Sequence, residues 1–251
     1  MYLPLTAALI AVTAAAAFAR PDVPLALQGV HRIVTLGDSI TQAGGAPDGY
    51  VTLIHKYLDA LYPSQPIEVV NAGISGHKST DMDERFQRDV VDHHPDLVTI
   101  NVGVNDVWHA YRDFANGVDH PEGDLPAGVG LPLYREKVTS MIQAAKAANI
   151  RVVLVSPTVI YENLDSPENH RLDTYVAAMR DLARANDCLF VDLNREFKEC
   201  IREYQKLAGH EGKLLTVDGV HMNPAGNRLM AYAILRGFGI PDADIATLKV
   251  D

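Results

Sequence analysis

The stretch His31-Arg32-Ile33-Val34-Thr35-Leu36-Gly37-Asp38-Ser39-Ile40-Thr41 decides how this chain folds. His31–Leu36 is a short β-rich run that ends at Gly37, and Ser39 stands where a helix is set to begin. The pattern reads as a first buried strand that delivers a hydroxyl to the head of a tight turn. Outward from it, strands and helices alternate. Tyr50–Leu61 carries Val51, Ile54, Leu58 and Leu61 at helical spacing and is stopped by Pro63. Ile67–Val70 reads as a second strand leading into Asn71-Ala72-Gly73, and Leu97–Val102 as a third. Arg151–Val155 is a fourth, after an alanine-rich helix over Leu133–Asn149, and Leu189–Val191 a fifth, after a helix over Asn169–Asn186. A last helix starts at Asn223-Pro224 and runs to about Arg236, since proline suits a first turn. Such alternation predicts parallel strands with helices on both faces, hence one doubly wound α/β sheet in a single domain over residues 20–251. Tyr111–Pro132, rich in proline and glycine, is the least regular stretch and reads as a lid or binding loop.

The chain has 251 residues, 32 acidic against 22 basic side chains, a formal charge of −10 and 47% hydrophobic residues. So many apolar residues exclude disorder. The acidic balance argues against a nucleic-acid partner, which calls for clustered Lys and Arg, and against an electrostatic hold on anionic membranes. Residues 1–19, MYLPLTAALIAVTAAAAFA, are uncharged and end in Ala17-Phe18-Ala19 before Arg20-Pro21. They resemble a secretory signal peptide cleaved after Ala19, which predicts export to a periplasmic or extracellular space and a mature chain with no stable membrane insertion. The competing reading keeps residues 1–19 as a membrane anchor. Export would permit a disulfide between Cys188 and Cys200, and two separate buried thiols are the alternative.

In an open parallel sheet, ligands bind beyond the carboxyl ends of the strands. Strand one leads into Gly37-Asp38-Ser39-Ile40-Thr41, strand two into Gly73 and strand three into Gly103-Val104-Asn105-Asp106, while Asp218-Gly219-Val220-His221 precedes the last helix. All four places are expected on one rim. A serine hydroxyl becomes a nucleophile when a neighbouring base takes its proton. His221 can be that base, and Asp218, three residues earlier, can orient its ring. An oxyanion then needs prearranged donors, for which the N–H groups of Ser39 and Gly73 and the side-chain amide of Asn105 are candidates. Taken singly, Ser39 reads as a helix cap, Gly73 and Asn105 as turn residues, and Asp218 with His221 as a surface pair. Together, after three successive strands and before the terminal helix, they read as a site.

These four blocks resemble those of the SGNH hydrolases, also called GDSL-type esterases, from Ile33 to roughly Leu235. The resemblance implies a three-layer α/β/α sandwich, flavodoxin-like, with a five-stranded parallel sheet in the order 2-1-3-4-5. It implies Ser39 as nucleophile, Ser39, Gly73 and Asn105 as oxyanion hole, His221 as base and Asp218 as its orienter. The reaction implied is two-step ester hydrolysis through an acyl-Ser39 intermediate, without metal or organic cofactor, with activity falling as acid protonates His221. No metal motif competes: His93-His94 do not share a helix face, and Phe86 stands where a calcium loop starting at Asp81 needs glycine.

Trp108, His109 and Tyr111 follow the Asn105 block and could wall an acyl or sugar pocket, or pack beneath the irregular loop. Similarity to exported members of this size points to a small-molecule or oligosaccharide ester, short-acyl and carbohydrate-type, with lysophospholipase, arylesterase or acyltransferase as alternatives. A glycosidase built on Asp38 and Asp106, or a non-catalytic carbohydrate-binding module, are readings from other classes.

Overall fold

Five parallel strands form the centre of the computed structural model, which describes residues 22–209 and 212–248. They are β1 (Arg32–Gly37), β2 (Glu68–Gly73), β3 (Leu97–Asn101), β4 (Arg151–Val155) and β5 (Leu189–Val191). Their order is β2-β1-β3-β4-β5, the flavodoxin-like order 2-1-3-4-5 expected from the sequence. The central strands are runs of Ile, Val and Leu because helices cover both of their faces: Ile33, Val34, Leu97, Val98, Val153 and Leu154 are all fully buried. Edge strand β2 runs three residues beyond its apolar stretch, since Asn71, Ala72 and Gly73 keep pairing with Thr35, Leu36 and Gly37. A ladder made by the main chain has no need of apolar side chains.

The helices are α1 (Ser39–Ala43), α2 (Tyr50–Leu61), α3 (Ser79–Glu84), α4 (Val104–Tyr111), α5 (Leu131–Ala147), α6 (Pro167–Ala185), α7 (Leu193–Ala208), α8 (Pro224–Gly237) and α9 (Asp242–Thr247). A single turn, Phe86–Asp89, follows α3. Helices α2, α7 and α8 pack together on one face of the sheet, and α3, α5 and α6 on the other, with α4 resting on α6. This division is what right-handed crossovers impose on the strand order. Side-chain caps start α6, α7 and α8, where Ser166, Asp192 and Asn223 accept the N–H groups of Asn169, Arg195 and Gly226. Helix α7 is absent from the sequence-based expectation: its Glu, Lys and Arg residues mask a stripe of Leu193, Phe197 and Ile201, which is buried.

The stretch Tyr111–Pro132 is tied down over much of its length. It carries a small antiparallel ribbon, Arg112–Asp113 against Val118–Asp119. Beyond the ribbon, the N–H groups of Leu125 and Val129 bond the carbonyls of Ala110 and Asp106 in α4, and the Tyr175 hydroxyl bonds the Val129 carbonyl. Cys188 and Cys200 are separate thiols, both pushed up in pKa by burial, so the disulfide alternative does not form. The leader reading of residues 1–19 lies outside the described residues. Among the described residues, no helix is long and apolar enough to cross a membrane.

Candidate active site

Strand β1 ends at Gly37, and the chain turns into α1 through Asp38, whose carboxylate accepts the Ile40 N–H at 2.9 Å as an N-cap. Burial pushes the Asp38 carboxyl up to about 6, against the lowering effect of that bond. Ser39 is thereby held half-buried at the head of the helix, its own N–H without a partner among the described residues.

The segment ahead of α8 is folded by Asp218. One carboxylate oxygen accepts the N–H groups of Val220 at 2.9 Å and His221 at 2.8 Å, and this turn brings the ring back to the other oxygen. His221 Nδ1 lies 2.6 Å from Asp218 Oδ2, and Nε2 lies 2.9 Å from Ser39 Oγ. With Nδ1–H donated to the carboxylate, Nε2 presents a lone pair to the hydroxyl. Partial burial works to raise the Asp218 pKa, but the His221 N–H, the imidazole and the Val220 N–H together hold it below the ordinary value.

Two residues that sequence reasoning missed support this turn. Tyr161 donates its N–H to the Gly219 carbonyl at 2.7 Å, and its ring packs so closely on Gly219 that a Cβ there would come within 2.5 Å. Tyr161 adopts a positive φ of 59°, and Gly219 a φ of 107° that favours glycine. Glu162, buried, accepts the N–H groups of Leu214 at 2.6 Å, Leu215 at 2.9 Å and Thr216 at 2.9 Å, and the Thr216 hydroxyl at 2.7 Å. A lone Glu in a loop, remote in the chain from the histidine it supports, carries no sequence signal. Only the positive φ of the tyrosine before it marks the place, and a backbone angle is not written in residue types.

The donors expected of the oxyanion hole are placed unevenly. Asn105, buried in the first turn of α4, donates one amide hydrogen to the His77 carbonyl at 3.0 Å and has a second hydrogen to offer. Gly73 departs from its expected role. Its N–H is taken by Asn71 Oδ1 at 2.9 Å, and a Cβ there would meet the Gln42 main-chain nitrogen at 2.1 Å. Close packing of β2 on α1, rather than approach of a substrate, demands glycine at 73. Gly76, three residues on, has a φ of 79°, open space around its Cα and an N–H with no partner among the described residues. Of these two neighbouring glycines one is sterically required and the other is open, a difference that residue types alone do not show.

Asp106, beside Asn105, accepts the Ser79 N–H at 3.1 Å and the Ser79 hydroxyl, which joins α4 to the start of α3. Burial pushes its carboxyl up to about 7. With Asp38 and Asp106 both buried and engaged in holding turns, neither is presented as one of a pair of glycosidase carboxylates.

Trp108 lies one helical turn after Asn105 and donates its indole N–H to the Tyr161 hydroxyl at 3.0 Å. Its ring meets those of Phe114 and Tyr161 edge-to-face, at centroid distances of 4.7 and 6.1 Å. His109 packs on Phe114 at 4.7 Å, and burial pushes its pKa down to about 4, so it stays neutral. Tyr111 belongs elsewhere: it is buried beneath Gly123 with its ring faced by Arg171, and it serves packing under the loop rather than a pocket wall. A cavity of about 580 Å³ opens among Leu97, Ile150, Arg151 and Leu189 at the opposite ends of the strands, away from Ser39 and His221. Among the described residues, no group of three or more His, Cys, Asp or Glu is arranged to hold a metal.

A serine, a histidine and a carboxylate aligned at the carboxyl rim of a doubly wound sheet are the equipment of an SGNH-type serine hydrolase. The chain belongs to the GDSL-like lipase/acylhydrolase family, which matches residues 35–229. It is 32% identical over 224 residues to an acetylxylan esterase of Geobacillus stearothermophilus, covering 83% of this chain and 94% of that protein. The crystal structure of an acetylxylan esterase from the same organism superposes with a TM-score of 0.71 at 30% identity, over 84% of this chain and 95% of its own. That of a second acetyl xylan esterase gives 0.71 at 31% identity, over 82% and 98%. The protein is a carboxylic ester hydrolase of the SGNH type.

Proposed function

We propose that this enzyme removes acetyl and other short acyl groups from carbohydrate-type esters through an acyl-Ser39 intermediate. The single observation that carries the mechanism is the unbroken chain from Ser39 Oγ through His221, at 2.9 and 2.6 Å, to Asp218. As Oγ attacks the acyl carbon, Nε2 takes its proton and the carbonyl π electrons move to oxygen. The Ser39 N–H, the Gly76 N–H and the free hydrogen of Asn105 Nδ2 are the donors proposed for that oxyanion, with Gly76 replacing Gly73. Collapse of the intermediate breaks the bond to the leaving alkoxide, which takes the proton from Nε2. Water then repeats the sequence on the acyl-serine, and the acid is released.

The acetylxylan specificity named for both relatives supports the substrate class, as does the aromatic group of Trp108, Tyr161 and Phe114 beside Asn105 and Gly219. Hydrolysis of p-nitrophenyl esters of increasing acyl length, followed by acetylated xylo-oligosaccharides, tests it. Acetate is expected to be preferred; preference beyond about C8 would overturn the assignment in favour of a lipase-like substrate. Labelling by a fluorophosphonate, expected at Ser39 and lost in Ser39→Ala, tests the intermediate. The uncharged leader ending at Ala19 supports export, and a secreted product beginning at Arg20 is its expected signature.

A further inference from the structure

We propose that Arg85 is the positioning residue of the oxyanion hole, an inference that rests on the acyl-Ser39 reading. Arg85 lies between α3 and the turn Phe86–Asp89 and is only 5% exposed. Four of the five guanidinium N–H groups are engaged. Nη2 donates to the Gly37 carbonyl at 2.8 Å, Nη1 to the Ala72 carbonyl at 2.8 Å and to Asp89 at 2.9 Å, and Nε to His77 Nδ1 at 3.0 Å.

Three of the four contacts, those to Gly37, Ala72 and His77, fall on or beside segments that carry a proposed donor. Gly37 is two residues before Ser39, Ala72 and His77 bracket Gly76, and the His77 carbonyl receives Asn105 Nδ2 at 3.0 Å. The Gly37 carbonyl also accepts the Ile74 N–H at 3.1 Å, so the first two segments already meet there. One rigid, planar cation thus ties the ends of β1 and β2 directly, and α4 through the His77 carbonyl. Arginine suits this because its fork addresses several acceptors at set angles, whereas lysine offers a point charge on a flexible stem. His77 must accept through Nδ1, and its burial together with the Arg85 charge pushes its pKa down, keeping that nitrogen free of a proton. Asp89 balances the buried charge.

An oxyanion exists only after attack on the carbonyl, so misplacing its donors should lower kcat and leave KM nearly unchanged. The test uses the whole protein with Arg85→Lys and Arg85→Gln, assayed on p-nitrophenyl acetate and on the corresponding thionoester. Sulfur is larger and a weaker acceptor than oxygen, so the ester-to-thionoester rate ratio reports the geometry of the hole. Both variants are expected to lose about 10²-fold in kcat, the scale of one lost donor, with a collapsed ratio and no rescue by lysine. Should they fail to fold, His77→Ala removes the ring contact while keeping the carbonyl, and a smaller fall in kcat with the same collapse is expected. An unchanged ratio in the folded variant, whether or not kcat falls, overturns the proposal and leaves Arg85 a structural role. Retained activity in Ser39→Ala, with no fluorophosphonate labelling of the wild type, would instead defeat the acyl-Ser39 reading itself.

Discussion

The carboxylate of Glu162 accepts both the N–H of Thr216, at 2.9 Å, and its hydroxyl, at 2.7 Å. Thr216 is two residues before Asp218, so the loop that follows β4 holds the strip of chain from which the acid–base pair hangs. Glu162 also receives the N–H groups of Leu214 and Leu215. Replacing it with Gln sets amide hydrogens against donors and leaves buried N–H groups unmatched. Glu162→Gln should lose about 1–3 kcal/mol of stability, read from urea unfolding, together with a fall in kcat. An unchanged midpoint would contradict this support role.

Asp38 and Asp218 should respond oppositely to amide substitution. Asp38 works as a helix cap, which asparagine performs equally well. Asp38→Asn is therefore expected to keep most of its esterase activity. Asp218 must hold the His221 tautomer, and Asp218→Asn should lose up to about 10⁴ in kcat. Initial rates on p-nitrophenyl acetate distinguish the two.

Stability should fall as pH rises from about 4 to about 7. Burial pushes the Asp106 carboxyl up to about 7 and that of Asp38 up to about 6, while in an unfolded chain aspartate titrates near 4, at about 3.9. Within that window the folded protein keeps protons that the unfolded chain has released, and the stability they contribute is lost as pH passes the folded values. Asp106→Asn cannot ionise and should show a shallower decline of Tm with pH. Parallel Tm curves for the two proteins would contradict the assignment.

The two glycines after β2 should tolerate a methyl group differently. At Gly73 a Cβ would lie 2.1 Å from the Gln42 main-chain nitrogen, which cannot move without displacing α1. At Gly76 there is room, and the penalty is the left-handed backbone alone, about 1–2 kcal/mol. Gly73→Ala is expected to melt at a lower temperature than Gly76→Ala in the same thermal scan.

Trp108→Ala should raise KM for an acetylated xylo-oligosaccharide by about tenfold, the equivalent of one good aromatic contact. The constants for p-nitrophenyl acetate should change far less, because that substrate brings no sugar ring to the ledge formed with Tyr161 and Phe114. Equal effects on both substrates would assign Trp108 to holding Asn105 and Tyr161 instead.

Much of the candidate site is legible in residue order. Ser39 and Asn105 follow the ends of strands, Asp218 and His221 precede the start of the last helix, and the helix Tyr50–Leu61 and the strands Arg151–Val155 and Leu189–Val191 have the bounds expected of them. Strand and helix periods are local properties of a few consecutive residues, and where they break is local as well. Helix α7 hides behind its charged surface, and Gly73 and Gly76 look alike because two glycines so close together differ only in what packs against them.

Local pattern was thus enough to set the alternation of elements, the doubly wound sheet that follows from it, and the arrival of a hydroxyl, an imidazole and a carboxylate at one rim. Packing in three dimensions established that Nε2 of His221 stands 2.9 Å from an oxygen 182 positions away, that Tyr161 and Glu162 carry the turn holding it, and that Arg85 joins three segments remote in the chain. Side-chain periodicity is set by neighbours within a turn or a strand, whereas distances across the rim follow from how packed helices and buried hydrogen bonds settle against one another.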